Sequence, residues 1–298
     1  MKYYLFFIFL SLVTKAVEAA TWKKVMGVVN TLPTSMTAGK ALTSSQCPDN
    51  FIFIPKNINY SVVDFCVAKY EMKNDGYGTA VSTATGAPWV SIIRSTARSK
   101  CQALGAGYDM ISNDQWQTIA RNIAGVASNW DSGTVASGQL NPGHSDGSPW
   151  RSLAASLDDI NGNCTGTGQT CSSLTWNSQR RTHVLSNGNV IWDFSGNVEE
   201  WVTNDSNVSN GAGGYISEMS GEDIRQTRYG ADSATLCASP SSTPYCGMGY
   251  GMFNSTAGAV FRGGGWSGDT FVGVFSVDLT PSLTYAGNGG GFRCVYVP

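Results

Sequence analysis

Two glycine-rich motifs near the C-terminus constrain the fold of this 298-residue chain more than any other feature. FRGGGW, at residues 261–266, places three glycines between an arginine and a tryptophan, and GFRC follows at residues 291–294. Glycine permits backbone conformations and close approaches that a β-carbon forbids. We therefore predict that a tightly folded main chain holds Arg262 and Trp266 inside the protein. Arg293 is expected to donate bidentate hydrogen bonds to internal carbonyl or carboxylate oxygens.

The N-terminus has the pattern of a secretory signal peptide. A lysine precedes an apolar run from Tyr3 to Val13, and small residues follow near residue 19. We predict a signal peptide over residues 1–19, an N-terminal lead-in segment over 20–46 and one domain over 47–298. The apolar run is shorter than the roughly 20 residues that span a bilayer, which predicts a secreted or cell-surface protein without a membrane span.

Composition excludes some partners. Lys and Arg total 19 against 21 Asp and Glu, so the chain has no basic field to hold the phosphates of a nucleic acid. Its eight cysteines include no CxxC or CxxH pair, and in an exported chain they indicate disulfides before metal ligands.

Hydrophobic periodicity predicts an α+β protein with two short helices, small strands and long loops. The β-type runs FIFIP and DFCVAKYEM form a hairpin. STARSKCQALGAG is a helix with Cys101 on its inner face, and SNDQWQTIARNIA is a helix that begins with a capping box at Ser112 and Gln115. Two strands flank Asn187-Gly188, a signal for a type I′ turn.

Three motifs in order resemble the signature of the formylglycine-generating (sulfatase-modifying) enzyme family. They are WDFSGNVEEW at residues 192–201, then FRGGGW, then GFRC, and the resemblance covers roughly residues 51–297. It implies an elaborated C-type lectin-like fold, with two helices, small twisted antiparallel sheets and long irregular loops.

The resemblance also implies a structural calcium site in the SGNVEEW loop. The matching positions supply backbone carbonyls and one carboxylate, the oxygen ligands that calcium prefers: Gly196, Asn197, Val198 and Glu200. The alternative is a turn in which Asn197 caps the backbone and Glu200 makes a salt bridge.

A disulfide between Cys101 and Cys294 would resemble the one that closes lectin-like domains. The other expected pairs are local: Cys47–Cys66, Cys164–Cys171 and Cys237–Cys246. Eight cysteines allow many connectivities, so spacing alone does not decide between them.

Catalytic members of that family bind copper through two cysteines between the last two motifs, and this interval contains none. Monovalent copper needs thiolate ligands, so we expect no copper and no formylglycine chemistry. The only histidines are His144, expected at the surface or in a cap, and His183, expected to pack in a strand. Adjacent carboxylates such as Glu199 and Glu200 point to opposite faces of an extended chain. We predict no catalytic residue.

The interval of 24 residues from Ser267 to Gly290 resembles the variable region of lectin-fold proteins that are diversified by retroelements. Mutagenic copying of adenines does not easily produce Lys, Glu, Gln, Met or Trp. These types make up 40 of the 298 residues, so about three are expected in the interval, and it has none. The alternative is a fixed lectin-like surface. In both cases the predicted ligand-binding residues are Ser267, Asp269, Thr270, Phe271, Ser276, Asp278, Thr280, Thr284, Tyr285 and Asn288.

Together these features favour a secreted, non-catalytic recognition protein that binds a protein or a glycan on another surface. Two alternatives stay open. One is an enzyme of the formylglycine-generating type or another enzyme, and the other is a structural subunit of an extracellular assembly, which would be oligomeric.

Overall fold

The structure is a computed structural model and describes residues 43, 46–60, 63–204, 214–216, 228–231, 244–253 and 258–298. The predicted signal peptide, nearly all of the lead-in segment and Cys237 lie outside these residues. The predicted Cys237–Cys246 disulfide therefore lies outside them too.

The described residues form a mixed α+β structure, as predicted. Two α-helices lie wholly within them, α1 (Arg94–Gln102) and α2 (Asn113–Ala124). The strands are β1 (Phe51–Ile54), β2 (Phe65–Ala68), β3 (Met72–Asn74), β4 (Ala80–Ser82), β5 (Tyr108–Met110), β6 (Thr182–Val184), β7 (Val190–Trp192), β8 (Glu199–Trp201), β9 (Gly214–Ile216), β10 (Gly251–Phe253), β11 (Phe261–Arg262), β12 (Val277–Asp278), β13 (Gly290–Phe292) and β14 (Cys294–Tyr296).

Both helices are the ones that the sequence predicts. In α1 the buried residues are Ala97 and Cys101, the positions expected to face inward. A complete capping box opens α2, because the Ser112 side chain accepts from the Gln115 N–H at 3.2 Å and the Gln115 side chain accepts from the Ser112 N–H at 2.9 Å. The box satisfies two backbone donors that a helix start leaves open.

The strands form four sheets. A four-stranded sheet has the order β1-β2-β14-β5 and is antiparallel throughout, and its β1–β2 pair is the predicted hairpin. In this sheet β14 lies between β2 and β5. A six-stranded sheet has the order β13-β8-β11-β12-β10-β9. The remaining sheets are the hairpins β3–β4 and β6–β7.

Two strand pairs show that the prediction of antiparallel sheets was wrong in part. β13 runs parallel to β8, and β12 runs parallel to β10. Parallel neighbours need a long crossover connection in place of a tight turn. The chain between the two strands of each pair is long enough for such a crossover. Periodicity carries no information about the direction in which a chain returns.

The predicted type I′ turn at Asn187-Gly188 was also wrong, although the β6–β7 pair around it is present. A type I′ turn needs positive φ at both central residues, whereas only Gly188 of this pair has it, at +81°. The Gly188 N–H donates to the Leu185 carbonyl at 2.9 Å, so the turn is shifted towards Leu185. The Asn187 side chain instead accepts from the Asn189 N–H and donates to the Phe53 carbonyl.

Three disulfides lie in the described part of the chain: Cys47–Cys66, Cys101–Cys294 and Cys164–Cys171. These are three of the four pairings expected from the sequence. The Cys101–Cys294 bridge ties the inner face of α1 to β14. Within the described ranges, no helix combines the length and the hydropathy needed to cross a bilayer.

Candidate functional site

The backbone of the FRGGGW motif is as tightly folded as its glycines predict. Gly263 and Gly264 have φ of +85° and +75°, which L side chains rarely adopt. A β-carbon on Gly263 would lie 3.2 Å from the Phe194 carbonyl oxygen, and one on Gly264 would lie 2.9 Å from a methyl group of Val272. The glycines therefore allow this segment to pack directly against the WDFSGNVEEW loop and the start of the interval.

Arg262 and Trp266 are held inside the protein, as predicted. Arg262 is fully buried, and its guanidinium donates to the Tyr229 carbonyl at 3.0 Å and lies 5.8 Å from the centre of the Trp116 ring. Burial lowers the pKa of Arg262 to about 9. Trp266 is buried, and its backbone N–H donates to the Asn197 carbonyl at 3.1 Å. Both residues belong to the buried part of the structure that supports the interval, which we call the frame.

Arg293 makes the contacts predicted for it. Its guanidinium donates to both carboxylate oxygens of Glu200, with the shortest N···O distance 2.6 Å, and both side chains are buried. It also donates to the carbonyls of Ala68, Trp192 and Asp193 at 2.9–3.2 Å. This one side chain therefore ties the end of β2, the end of β7 and strand β8 together.

The predicted calcium loop is a tight turn whose oxygens are engaged by protein donors. Gly196 and Asn197 have φ of +74° and +63°. The Asn197 side-chain oxygen accepts from the Leu153 N–H at 2.7 Å, its backbone carbonyl accepts from Trp266, and both Glu200 oxygens accept from Arg293. In this arrangement Asn197 and Glu200 match the salt-bridged turn that the sequence leaves open as the alternative. The calcium site stays a prediction.

A buried carboxyl group that the sequence analysis did not single out supports the same turn. Glu71 accepts from the Asn197 side chain at 2.6 Å and from the Val198 N–H at 3.1 Å. Burial raises the pKa of Glu71 well above its usual range, and the nearby charges of Asp193 and Glu200 raise it further. Glu71 therefore acts as an internal hydrogen-bond partner of the loop.

Nine of the ten predicted binding residues reach the surface. Those that are exposed are Ser267, Asp269, Phe271, Thr280, Thr284, Tyr285 and Asn288, and those that are half-buried are Thr270 and Asp278. Ser276 is buried, with 6% of its surface exposed. Its carbonyl accepts from the Gly263 N–H, so it lies against the glycine motif and does not belong to the exposed face.

The two aromatic residues of this face are partly exposed and partly packed. Phe271 and Tyr285 each have 42% of their surface exposed. The Phe271 ring lies 4.3 Å from the Tyr250 ring, and Tyr285 meets Trp201 and Phe261 edge-on at 6.2 and 5.8 Å. These contacts fix the rings without covering them, so they offer contact area at low entropic cost to a ligand.

A carboxylate pair that the sequence did not reveal lies beside this face. Glu199 of β8 and Asp278 of β12 line one small pocket together with Tyr250 and Phe271. Burial raises the pKa of Glu199 to about 8, and the charge of Asp278 contributes to the shift. Glu199 and Glu200 do point apart, as expected. In the sheet order β8-β11-β12, Glu199 and Asp278 line the same pocket, although they are distant in sequence.

We predict that Glu199 makes stability fall as pH rises. A carboxyl group whose pKa is raised by folding binds its proton more tightly in the folded state, so stability is lost between its unfolded pKa, near 4.5, and about 8. Urea unfolding at pH 5 and pH 8 should show a smaller loss for Glu199→Gln than for the wild type. Asp269→Asn, which removes an exposed carboxylate, should keep the wild-type loss; equal losses in all three proteins would contradict the prediction.

The two histidines are structural. His183 is buried in β6, as predicted, whereas His144 is buried and not at the surface. Each Nε2 lies at 2.9–3.0 Å from a carbonyl oxygen, of Asn141 for His183 and of Arg151 for His144, so each donates a hydrogen bond. Burial lowers the pKa of both and brings that of His183 to about 3. Among the described residues, no group of three His, Cys, Asp or Glu side chains is placed to hold a metal ion.

Comparison with known proteins gives structural neighbours only. No protein-family model matches the chain, and no curated protein matches it. Treponema denticola variable protein 1 is similar over 87% of this chain and 99% of its own, with a TM-score of 0.43 and 14% identity. The U1 variant of the Major Tropism Determinant is similar over 84% of this chain, with a TM-score of 0.40 and 13% identity, and the overlap spans 53% of its own length. PvdO from Pseudomonas aeruginosa is similar over 83% of this chain and 91% of its own, with a TM-score of 0.37 and 13% identity.

Proposed function

We propose that this chain is a secreted, non-catalytic recognition protein of C-type lectin-like fold, and that it binds its ligand through the exposed residues of the interval. The observation that carries the proposal is a difference in burial between the residues that flank the interval and those within it. Arg262, Trp266 and Arg293 are buried, while polar and aromatic side chains of the interval are exposed. A surface of fixed aromatics among small polar side chains is typical of binding loops.

The contacts that hold the frame in place do not involve the exposed side chains of the interval. This supports the proposed role. Arg262 and Arg293 are held by backbone carbonyls and by Glu200, and the glycine motif packs against backbone atoms of the WDFSGNVEEW loop. Substitutions at exposed positions typically change stability by no more than about 0.5 kcal/mol. The exposed positions of the interval therefore accept sequence change, which supports a face diversified by adenine mutagenesis.

Secretion and the absence of catalysis complete the proposal. Disulfides persist in oxidising compartments, and three are present in the described chain. The interval has no cysteine, the ligand type that formylglycine chemistry requires for copper. Both histidines are buried and bonded to carbonyls, so neither is placed as a general base at the face.

The proposal predicts that Phe271→Ala abolishes recognition without unfolding the domain. Truncating an aromatic anchor of an interface costs about 2 kcal/mol or more, which corresponds to at least about a thirtyfold loss of affinity. Because the ring is partly exposed, the melting temperature should fall by no more than about 4 °C. The measurement is binding of the purified protein to an array of extracellular protein domains and oligosaccharides, together with a thermal melt.

Leu174→Ala is the matched control, since Leu174 is a 93% exposed apolar residue outside the interval. It should bind the array as the wild type does. Equal binding by the wild type and Phe271→Ala, or equal losses in Phe271→Ala and Leu174→Ala, would overturn the assignment of the face.

A further inference from the structure

A second pocket borders the interval and shares only Val272 with the pocket of Glu199 and Asp278. It encloses about 260 Å³. We call it the polar crevice, and its polar lining residues are Gln139, Ser145, Ser178, Gln179, Asp269 and Thr270. Asp269 and Thr270 are among the binding residues predicted from the sequence. The other four lie in loops far from the interval in sequence and were not predicted.

One wall of the polar crevice is a buried and preorganised frame. Ser145 and Gln179 are buried, and the Ser145 N–H donates to the Gln179 side-chain oxygen at 3.0 Å. The Gln179 side-chain nitrogen lies 3.4 Å from the Ser145 hydroxyl, a long contact that leaves the amide able to donate to a ligand. The Gly143 N–H donates to the Ser178 carbonyl at 3.1 Å, which holds the two loops of this wall together.

The opposite wall belongs to the interval itself. The Asp269 N–H donates to the Ser145 carbonyl at 2.8 Å, so the interval is anchored to the fixed wall by its backbone. Asp269 has φ of +49°, in the left-handed region that Asn, Asp and Gly tolerate best. Its carboxylate is exposed, and Thr270 is half-buried beside it. The polar crevice therefore combines a hydrogen-bonded wall outside the interval with two side chains of the proposed binding face.

The chemistry of the lining defines a ligand class. Hydroxyl and carboxamide groups both donate and accept, and a carboxylate accepts from paired hydroxyls. No Lys, Arg or His is among the described residues that line the crevice, so an anionic ligand would meet only the charge of Asp269. A single exposed carboxylate is also a weak partner for a cationic side chain.

We propose that the polar crevice binds one neutral monosaccharide unit of a glycan, which deepens and rests on the proposed recognition function. Its volume lies below the roughly 300–1,000 Å³ of sites for drug-sized ligands, so it suits a single sugar ring better than an extended peptide. The fixed wall holds the ring, and residues 269 and 270 select among sugars.

The test uses the full secreted protein and a defined set of probes. Neutral methyl glycosides of mannose, glucose, galactose and N-acetylglucosamine are compared with anionic N-acetylneuraminic acid and with cationic Nα-acetyl-lysine amide by saturation-transfer NMR. The double variant Asp269→Gly, Thr270→Val removes the polar groups of one wall, and glycine at position 269 keeps the positive φ without strain. Thr96→Val is the control, a substitution of an exposed threonine in α1 that lies outside the interval and does not line the crevice.

At least one neutral glycoside should bind the wild type and the control equally, and should bind the double variant at least about tenfold more weakly, since it loses one neutral and one charged hydrogen bond. Binding of the lysine amide or the sialic acid alone, binding of no probe, or glycoside binding that survives in the double variant would each overturn the inference. If array binding is still lost in Phe271→Ala in any of these cases, the proposed function stands and only the saccharide site falls.

The exposed Trp150 provides a check on non-specific stacking. Its ring packs near Gly147, it is 74% exposed, and it does not line the crevice. Trp150→Ala should therefore leave glycoside binding unchanged. Glycoside binding that is lost in Trp150→Ala and kept in the crevice variant would place the sugar on the indole and overturn the inference.

Discussion

Replacing Arg293 with alanine is expected to lower the free energy of unfolding by about 3–5 kcal/mol, because it leaves the buried Glu200 carboxylate without its charge partner. The same substitution removes hydrogen bonds to the Ala68, Trp192 and Asp193 carbonyls, which come from separate parts of the chain. Urea unfolding of the purified protein at pH 7 measures the effect.

Arg98→Ala is the matched control for this prediction. Arg98 also donates two hydrogen bonds to one carboxylate, that of Asp109, at 2.8–2.9 Å, but both side chains are about a third to a half exposed. Solvent screens such a pair, so its loss should cost about 0.2–1 kcal/mol. If the two substitutions cost the same, burial of the Arg293–Glu200 pair does not set its importance.

Removing the Cys101–Cys294 disulfide is the second large effect we expect. The bridge closes a loop with a sequence separation of 193, and the chain-entropy model gives about 5 kcal/mol for a loop of this length. The double variant Cys101→Ala, Cys294→Ala should therefore unfold at much lower urea concentration, or fail to be secreted. Both sulfur atoms are buried, so the cavity that they leave adds to the loss.

The Cys164–Cys171 disulfide gives an internal comparison. Its sequence separation is 7, for which the same model gives about 2–3 kcal/mol. The double variant Cys164→Ala, Cys171→Ala should accordingly retain most of the stability. A larger loss from this short loop than from the long one would show that native-state packing, and not restraint of the unfolded chain, dominates the effect of these bridges.

Local signals allowed much of the fold to be predicted from the sequence. The capping box at Ser112 involves residues three apart, and the helix face of Cys101 follows from a period of 3.6, so neither depends on distant parts of the chain. The environment of Arg293 also followed from its neighbours, because Phe292 and Cys294 are core residue types. Predictions of this kind succeed because the information lies within one or two turns of the chain.

The features that the sequence did not reveal all depend on long-range contacts. The parallel pairing of β8 with β13, the approach of Asp278 to Glu199 and the burial of His144 are set by where loops return. The polar crevice is the strongest case, since its fixed wall comes from loops about 90–130 residues before the interval. A surface built from one continuous segment and several distant loops leaves no local pattern in the sequence.

The position of β14 between β2 and β5 has a consequence for truncated or frameshifted forms of this protein. A ribosome completes the interval before it makes β13, β14 and the second half of the Cys101–Cys294 bridge. A frameshift or stop codon that arises within the interval therefore yields a chain whose four-stranded sheet lacks the inner strand β14, and whose Cys101 lacks its partner Cys294. Such a chain exposes its core to chaperones and proteases. We therefore expect that only chains read through in frame complete this sheet and this disulfide.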